Sequence, residues 1–172
     1  MSLQPDWLPA LVTFGSCGGD WGRYVEKIHG CFQRDFLQPE LTFDGQPLRL
    51  RKQPYVRGKE ASFWHLVSTG NIEEDRYPDL RRCERIGWAR AVIDNATDSC
   101  IKRWENERGV HTNICLWLES ENYLVILGKR SGYVLLLTAY VVHGFKSRKL
   151  EQEYQEYIRQ KSQCRPLFKD GI

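Results

Sequence analysis

The segment from Cys100 to Val142 constrains the fold of this chain more than any other part. It contains four stretches that alternate or are rich in β-branched and aromatic residues. Three short turn sequences separate them: Arg108-Gly109, Ser120-Glu121-Asn122 and Ser131-Gly132. Because turns this short join neighbouring strands that run in opposite directions, the segment predicts a four-stranded antiparallel meander.

Other patterns place elements around this meander. Asp44-Gly45, between two short apolar stretches, predicts a β-hairpin. Helical spacing predicts a helix that begins after Asp20 and continues to about Phe36. Pro78 can open a helix that reaches about Asp94, and a last, polar helix runs from Ser147 to about Gln160.

The stretch from Ala61 to Val67 is assigned to a strand, because its residues alternate. Together these elements predict an α+β domain, with an antiparallel sheet and helices packed mainly on one face. Residues 1–57 are expected to form an arm, a helix and a hairpin that pack on a core formed by residues 58–172, giving one compact domain overall.

Composition excludes several classes of protein. The 172 residues are 41% hydrophobic and 27% charged, which is typical of a folded domain and not of a disordered chain. No apolar run is long enough to span a membrane and no signal peptide is visible. Six cysteines without close pairing suggest reduced thiols, so a cytoplasmic protein is expected. No His-x-x-x-His or Cys-x-x-Cys spacing is present, so neither a metal nor a cofactor is expected.

The positive charge is unevenly distributed. The chain has 25 basic and 22 acidic residues, a net charge of only +3. Residues 49–59, called the basic segment below, hold five of the basic residues and no acidic one, so the rest of the chain sums to −2. This favours local recognition of a phosphate over general coating of a nucleic acid.

Five residues are candidates for chemistry at such a phosphate. His65 follows the basic segment and can transfer protons near neutral pH, unless it is a buried histidine bonded to a carbonyl. Thr138 and Tyr140 share one face of the fourth meander strand, where they can contact phosphate or ribose or simply favour the strand. Lys129 and Arg130 precede the last turn and can stabilise negative charge, or be solvated.

Four residues are candidates for binding the substrate. Arg57 and Lys59 belong to the basic segment, and Lys129 is a third cation. Trp104, next to Lys102 and Arg103, is the best candidate for stacking against a base.

The residues from Gly58 to Tyr157 resemble the phage-associated branch of the barnase–EndoU–colicin–RelE-like nuclease superfamily. Three groups of residues carry the resemblance. They are Phe63-Trp64-His65; Pro78-Asp79-Leu80-Arg81-Arg82-Cys83-Glu84-Arg85 with Trp88; and Tyr133 to Tyr140 followed by Lys149-Leu150 and Glu153-Tyr154. The resemblance covers somewhat over half of the chain.

The resemblance implies an endoribonuclease that needs no metal. In such enzymes the ribose 2′-hydroxyl attacks its own phosphate and leaves a cyclic phosphate and a free 5′-hydroxyl. His65 would be a general base or acid, Thr138 and Tyr140 would contact the scissile phosphate or ribose, and Arg130, Lys129 or Lys59 would supply the cation. The expected partners are RNA, with transfer RNA as one candidate, and an immunity or antitoxin protein.

Three alternatives remain open. The chain can be a non-catalytic module that binds RNA, DNA or a phage protein through the same basic surface. It can be a phage morphogenesis protein that retains a degenerate nuclease fold. It can also be a thiol enzyme that uses Cys17, which lies in a glycine-rich turn before the first helix.

Overall fold

A computed structural model describes residues 4–164 of the chain, except the side chain of Glu74. Residues 1–3 of the predicted arm and 165–172 of the predicted core lie outside the described residues. The strands are β1 (Thr42–Phe43), β2 (Gln46–Arg49), β3 (Ser68–Thr69), β4 (Tyr77–Pro78), β5 (Ile101–Arg108), β6 (His111–Leu118), β7 (Tyr123–Arg130) and β8 (Tyr133–Val141). The α-helices are α1 (Trp21–Phe32), which continues as a π-helical turn (Gln33–Leu37), α2 (Ala61–Val67), α3 (Leu80–Glu84), α4 (Trp88–Asp94) and α5 (Phe145–Gln163).

Six of these strands form one sheet in the order β1-β2-β8-β7-β6-β5. The pairs from β5 to β8 are antiparallel, so the predicted meander is confirmed. The hairpin of β1 and β2 is confirmed as well. Its second strand joins the meander by a short parallel pairing, Leu48 with Val134 and Arg49 with Leu135, which the sequence did not indicate.

The helices cover the two faces of the sheet unequally. Side chains of α1 to α4, among them Tyr24, Phe63 and Trp88, are buried in one large core against the sheet. The opposite face carries a smaller cluster around Trp104 and Trp117, against which α5 packs. The predicted α+β class with a mostly antiparallel sheet is therefore confirmed.

The prediction of a strand from Ala61 to Val67 is wrong, because these residues form helix α2. All of them except His65 are buried, so the stretch lacks the polar stripe that reveals a helix in a sequence. The helix lies beside β8, whose pairing with β2 ends at Leu135. Helix α2 thus occupies the side of β8 that has no further strand partner.

The predicted helix from Pro78 to Asp94 is two helices. Pro78 itself pairs with Ser68 in the small β3–β4 ladder. Helix α3 begins after Asp79, whose carboxylate accepts hydrogen bonds from the backbone N–H groups of Arg81 and Arg82. Within residues 4–164, no helix is long and apolar enough to cross a membrane.

Candidate active site

The end of α2 meets β8 at one corner of the sheet and brings together three of the predicted catalytic residues. The hydroxyl of Thr138 donates a hydrogen bond to the carbonyl of His65, at 3.1 Å. Tyr140 lies two residues further along β8, on the same face as Thr138. The sequence placed His65 on the wrong type of element, but the structure still brings it to these two residues.

Arg82 of α3 joins the members of this corner. Its Nη1 donates to the carbonyls of His65 (3.2 Å) and Ser68 (3.1 Å) and lies 3.5 Å from the hydroxyl of Thr138. Its guanidinium carbon lies 5.1 Å from the ring centroid of Tyr140. These contacts place a cation at the carboxyl end of α2, where the helix dipole favours positive charge.

His65 is held by the carboxylate of Glu73, which no sequence pattern indicated. Its Nε2 lies 2.5 Å from Oε1 of Glu73, eight residues further along the chain in a single turn of 3₁₀ helix (Glu73–Asp75). The side chain of His65 is 21% exposed. Since the carboxylate of Glu73 can only accept a hydrogen bond, we infer that Nε2 carries the proton of the neutral ring and Nδ1 carries the free lone pair.

Burial of the imidazole lowers the pKa of His65 below its usual 6.5, against the opposing effect of the hydrogen bond with Glu73. The positive charge of Arg76 lowers this pKa further. The imidazole is therefore neutral at pH 7, which is the form a general base requires.

Arg76 lies in the chain immediately before β4 and is anchored by β3. Its guanidinium donates to the hydroxyl of Ser68 (3.0 Å), to the carbonyl of Ser68 (2.9 Å) and to the carbonyl of Gly70 (2.8 Å). Arg76 and Glu73 also line a cavity of about 100 Å³ together with Val56, Arg57 and Trp64. This cavity is large enough to hold a small chemical group, and Arg57 of the basic segment adds a second cation to its wall.

Tyr140 keeps its proton at this corner. Burial raises the pKa of its phenol, and the positive charge of Arg82 opposes that rise only in part. Tyr140 can therefore donate a hydrogen bond or a proton at neutral pH.

The predicted substrate-binding cations of the basic segment have different environments. Arg57 is exposed and lines the cavity beside Glu73 and Arg76. Lys59 is buried, and its Nζ lies 2.5 Å from Oε1 of Glu26. The structure therefore supports Arg57 as a cation available to a ligand, whereas Lys59 is already paired.

Lys129 and Arg130 lie away from the corner. Arg130 pairs with Tyr133 at the opposite end of β8, five residues before Thr138. At roughly 3.4 Å per residue this separation is about 17 Å along the strand. Lys129 pairs with Glu105 at 2.6 Å, and Arg130 donates to the carbonyl of Lys129 at 2.7 Å. The structure does not bring either cation to His65.

Trp104 is not a stacking platform for a base. It is 1% exposed and lies beneath α5, with its ring 5.9 Å from that of Tyr154 and 6.5 Å from that of Trp117. The aromatic side chains that do reach the surface include Tyr55, Tyr77 and Phe145. Tyr77 adjoins Arg76, and Phe145 follows His143, which Arg81 contacts.

The glycine-rich turn that contains Cys17 has an ordinary structural role. The turn leads into α1, which begins after Asp20 as predicted, and the Asp20 carboxylate caps the helix by accepting from the N–H of Arg23 at 2.9 Å. The thiol of Cys17 lies 3.9 Å from the hydroxyl of Ser16. Within the described part of the chain, no three His, Cys, Asp or Glu side chains are grouped so that they could hold a metal ion.

Comparison with known proteins adds no assignment, since no family model, curated protein or solved structure matches the chain.

Proposed function

We propose that this chain is a metal-independent endoribonuclease whose catalytic centre is the pair of His65 and Glu73. The observation that carries the proposal is the convergence at one corner of a neutral, carboxylate-bound histidine with Arg76, Arg82 and Tyr140. A metal-free ribonuclease needs a proton acceptor, a proton donor and cations, and this corner supplies all three. The resemblance of residues 58–157 to the nuclease superfamily supports the same activity.

Each group then has a defined part in the reaction. Nδ1 of His65 removes the proton from the ribose 2′-hydroxyl, and Glu73 positions the ring and stabilises its protonated form. The 2′-oxygen attacks phosphorus, the bond from phosphorus to the 5′-oxygen breaks, and a 2′,3′-cyclic phosphate remains. Tyr140 donates a proton to the departing 5′-oxygen, which leaves as a hydroxyl. Arg76 and Arg82 stabilise the negative charge of the pentacoordinate phosphorane.

Cleavage of RNA in the presence of EDTA tests this proposal. The wild-type protein is expected to cleave a mixed RNA substrate at the same rate with and without the chelator. His65→Asn is expected to lose activity by at least about 100-fold, since a positioned general base contributes about 10²- to 10⁴-fold. His111→Asn is a matched control, because His111 is an exposed histidine at the start of β6.

Three results would contradict the proposal: no cleavage by the wild type, cleavage only with added metal, or equal cleavage by wild type and His65→Asn. Circular dichroism of both variants checks that each is folded.

One observation favours a second candidate, a module that binds RNA without cleaving it. The hydroxyl of Thr138 and Nη1 of Arg82 are both bonded to backbone carbonyls of the chain itself, as expected for residues that hold α2 in place. In that case RNA binding would weaken with salt, persist in His65→Asn and be accompanied by no cleavage.

A further inference from the structure

We infer that the RNA substrate places one unpaired nucleotide in a groove beside the catalytic corner, with its base on Trp21 and its phosphate on Arg57. This inference rests on the proposed ribonuclease activity and specifies its substrate as RNA with an accessible single strand.

The groove shares two wall residues with the cavity beside Glu73. It has a volume of about 260 Å³, and its walls include Trp21 and Val25 of α1 and Arg57 from the basic segment. Arg57 and Trp64 line both the groove and the smaller cavity that contains Glu73 and Arg76. A strand bound in the groove would therefore continue directly toward the His65–Glu73 pair.

Trp21 presents a fixed aromatic surface at the start of α1. Trp21 is 39% exposed although it has one of the larger apolar side chains of the protein. The ring is supported from within by Phe14 and Tyr24, at centroid distances of 6.0 and 5.8 Å. An exposed ring held in this way can stack against a base of any identity.

Arg57 is the cation of this groove that is available to a phosphate. Lys59, which also lines the groove, forms its ion pair with Glu26, whereas no carboxylate partner of Arg57 is found among the described residues. Arg57 sits at the tip of a tight turn in which Val56 and Lys59 exchange backbone hydrogen bonds of 3.0 Å. The backbone of Arg57 has a φ of 50°, in the left-handed region, so the turn holds its exposed side chain in a defined backbone position.

The geometry favours single strands over duplexes. A base reaches a groove wall only when it is unpaired and unstacked, and aromatic side chains bind such bases in loops, bulges and ends. Arg57 and Trp64 line both the groove and the cavity that contains Glu73 and Arg76, so one strand can contact both.

Binding of an uncleavable RNA tests the groove without requiring catalysis. A labelled 2′-O-methyl oligonucleotide, which lacks the attacking hydroxyl, is titrated with protein and followed by fluorescence anisotropy, as a single strand and as a duplex. Trp21→Ala is expected to weaken binding of the single strand by about tenfold, within the range for loss of one base–aromatic stack. Trp21→Phe retains an aromatic face and is expected to bind within about threefold of wild type.

Arg57→Asn removes the cation and suits the left-handed turn, because asparagine adopts that conformation more readily than most residues. It is expected to weaken binding and to reduce the slope of log affinity against log salt by about 0.7, as for one lost phosphate contact with a single strand. Arg159→Asn is the control, since it removes an exposed arginine of α5, the helix on the opposite face of the sheet.

Equal affinity for duplex and single strand, or wild-type affinity in both Trp21→Ala and Arg57→Asn, would overturn the inference. If wild type cleaves RNA and these variants bind and cleave as it does, the groove assignment alone fails. If the groove variants lose binding but wild type never cleaves, the ribonuclease proposal alone fails.

Discussion

Replacement of Arg82 by methionine tests whether this arginine holds the catalytic corner together. Methionine keeps much of the length and apolar stem of the side chain but removes the guanidinium. The substitution deletes the contacts of Nη1 with the carbonyls of His65 and Ser68 and with the hydroxyl of Thr138. It also removes the cation that lies against the ring of Tyr140.

The structure gives the size of the expected loss. A hydrogen bond to a charged group contributes about 1.5–3 kcal/mol, and the cation–π contact about 0.5–1 kcal/mol. Neither carbonyl is left without a donor, because Thr138 still serves that of His65 and Arg76 that of Ser68. The loss is therefore below the sum of three bonds, and we expect Arg82→Met to lower the free energy of unfolding by about 3 kcal/mol.

Equilibrium unfolding of wild type and Arg82→Met in urea measures this difference, provided that the free energy of unfolding depends on urea concentration with the same slope in both proteins. Arg81→Met is the control, because Arg81 is the exposed neighbour of Arg82 in α3. Among the described residues, the guanidinium of Arg81 forms hydrogen bonds only with His143. It is expected to change the free energy of unfolding by less than about 0.5 kcal/mol. A change in Arg82→Met no larger than that of Arg81→Met would refute the structural role given to Arg82.

Three further predictions follow from the placement of the site residues. Lys129→Ala and Arg130→Ala should cleave RNA within about threefold of the wild-type rate, whereas removal of a cation at the reacting phosphate costs about 100-fold. A large loss of activity in either variant would show that this end of β8 belongs to the active site. Trp104→Ala should destabilise the protein by about 3–5 kcal/mol in urea unfolding. Trp104→Phe should destabilise it by much less, because the indole N–H that it removes has no partner among the described residues; equal effects of the two substitutions would contradict the buried position of Trp104. Burial lowers the pKa of His65 in the folded state, so below about pH 6.5 the unfolded chain binds this proton more readily and the free energy of unfolding should decrease as the pH falls. Between about pH 8 and pH 5.5 this decrease should be smaller in His65→Asn than in the control His111→Asn, and identical pH profiles would contradict the lowered pKa of His65.

The sheet was predictable because short local sequences determine its turns. Gly109, Gly132 and the Asp44-Gly45 pair lie in turns with positive φ, a conformation that glycine adopts readily. Between these turns the strands alternate toward two covered faces, so their number, order and direction followed from the sequence. The parallel pairing of β2 with β8 did not, because it joins segments more than 80 residues apart without a local signal.

The candidate site was only partly predictable. Thr138 and Tyr140 were found because residues two positions apart share one face of a strand. Glu73 was missed because the turn of chain that returns it to His65 is irregular, and its only signal was a carboxylate shortly after a histidine. Arg82 adjoins Arg81 in a run of residues quoted only for the resemblance, and only the contact of α3 with the end of α2 distinguishes the two arginines.

The chemistry of the RNA ends tests the central claim most directly. Wild-type protein in EDTA is incubated with an RNA oligonucleotide and with its 2′-O-methyl counterpart, and the products are analysed by mass spectrometry. Attack by the 2′-hydroxyl with His65 as base predicts 2′,3′-cyclic phosphate and 5′-hydroxyl ends from RNA, none from the 2′-O-methyl strand, and none from either with His65→Asn. Products with 5′-phosphate ends, cleavage of the 2′-O-methyl strand, or no cleavage of RNA would contradict it.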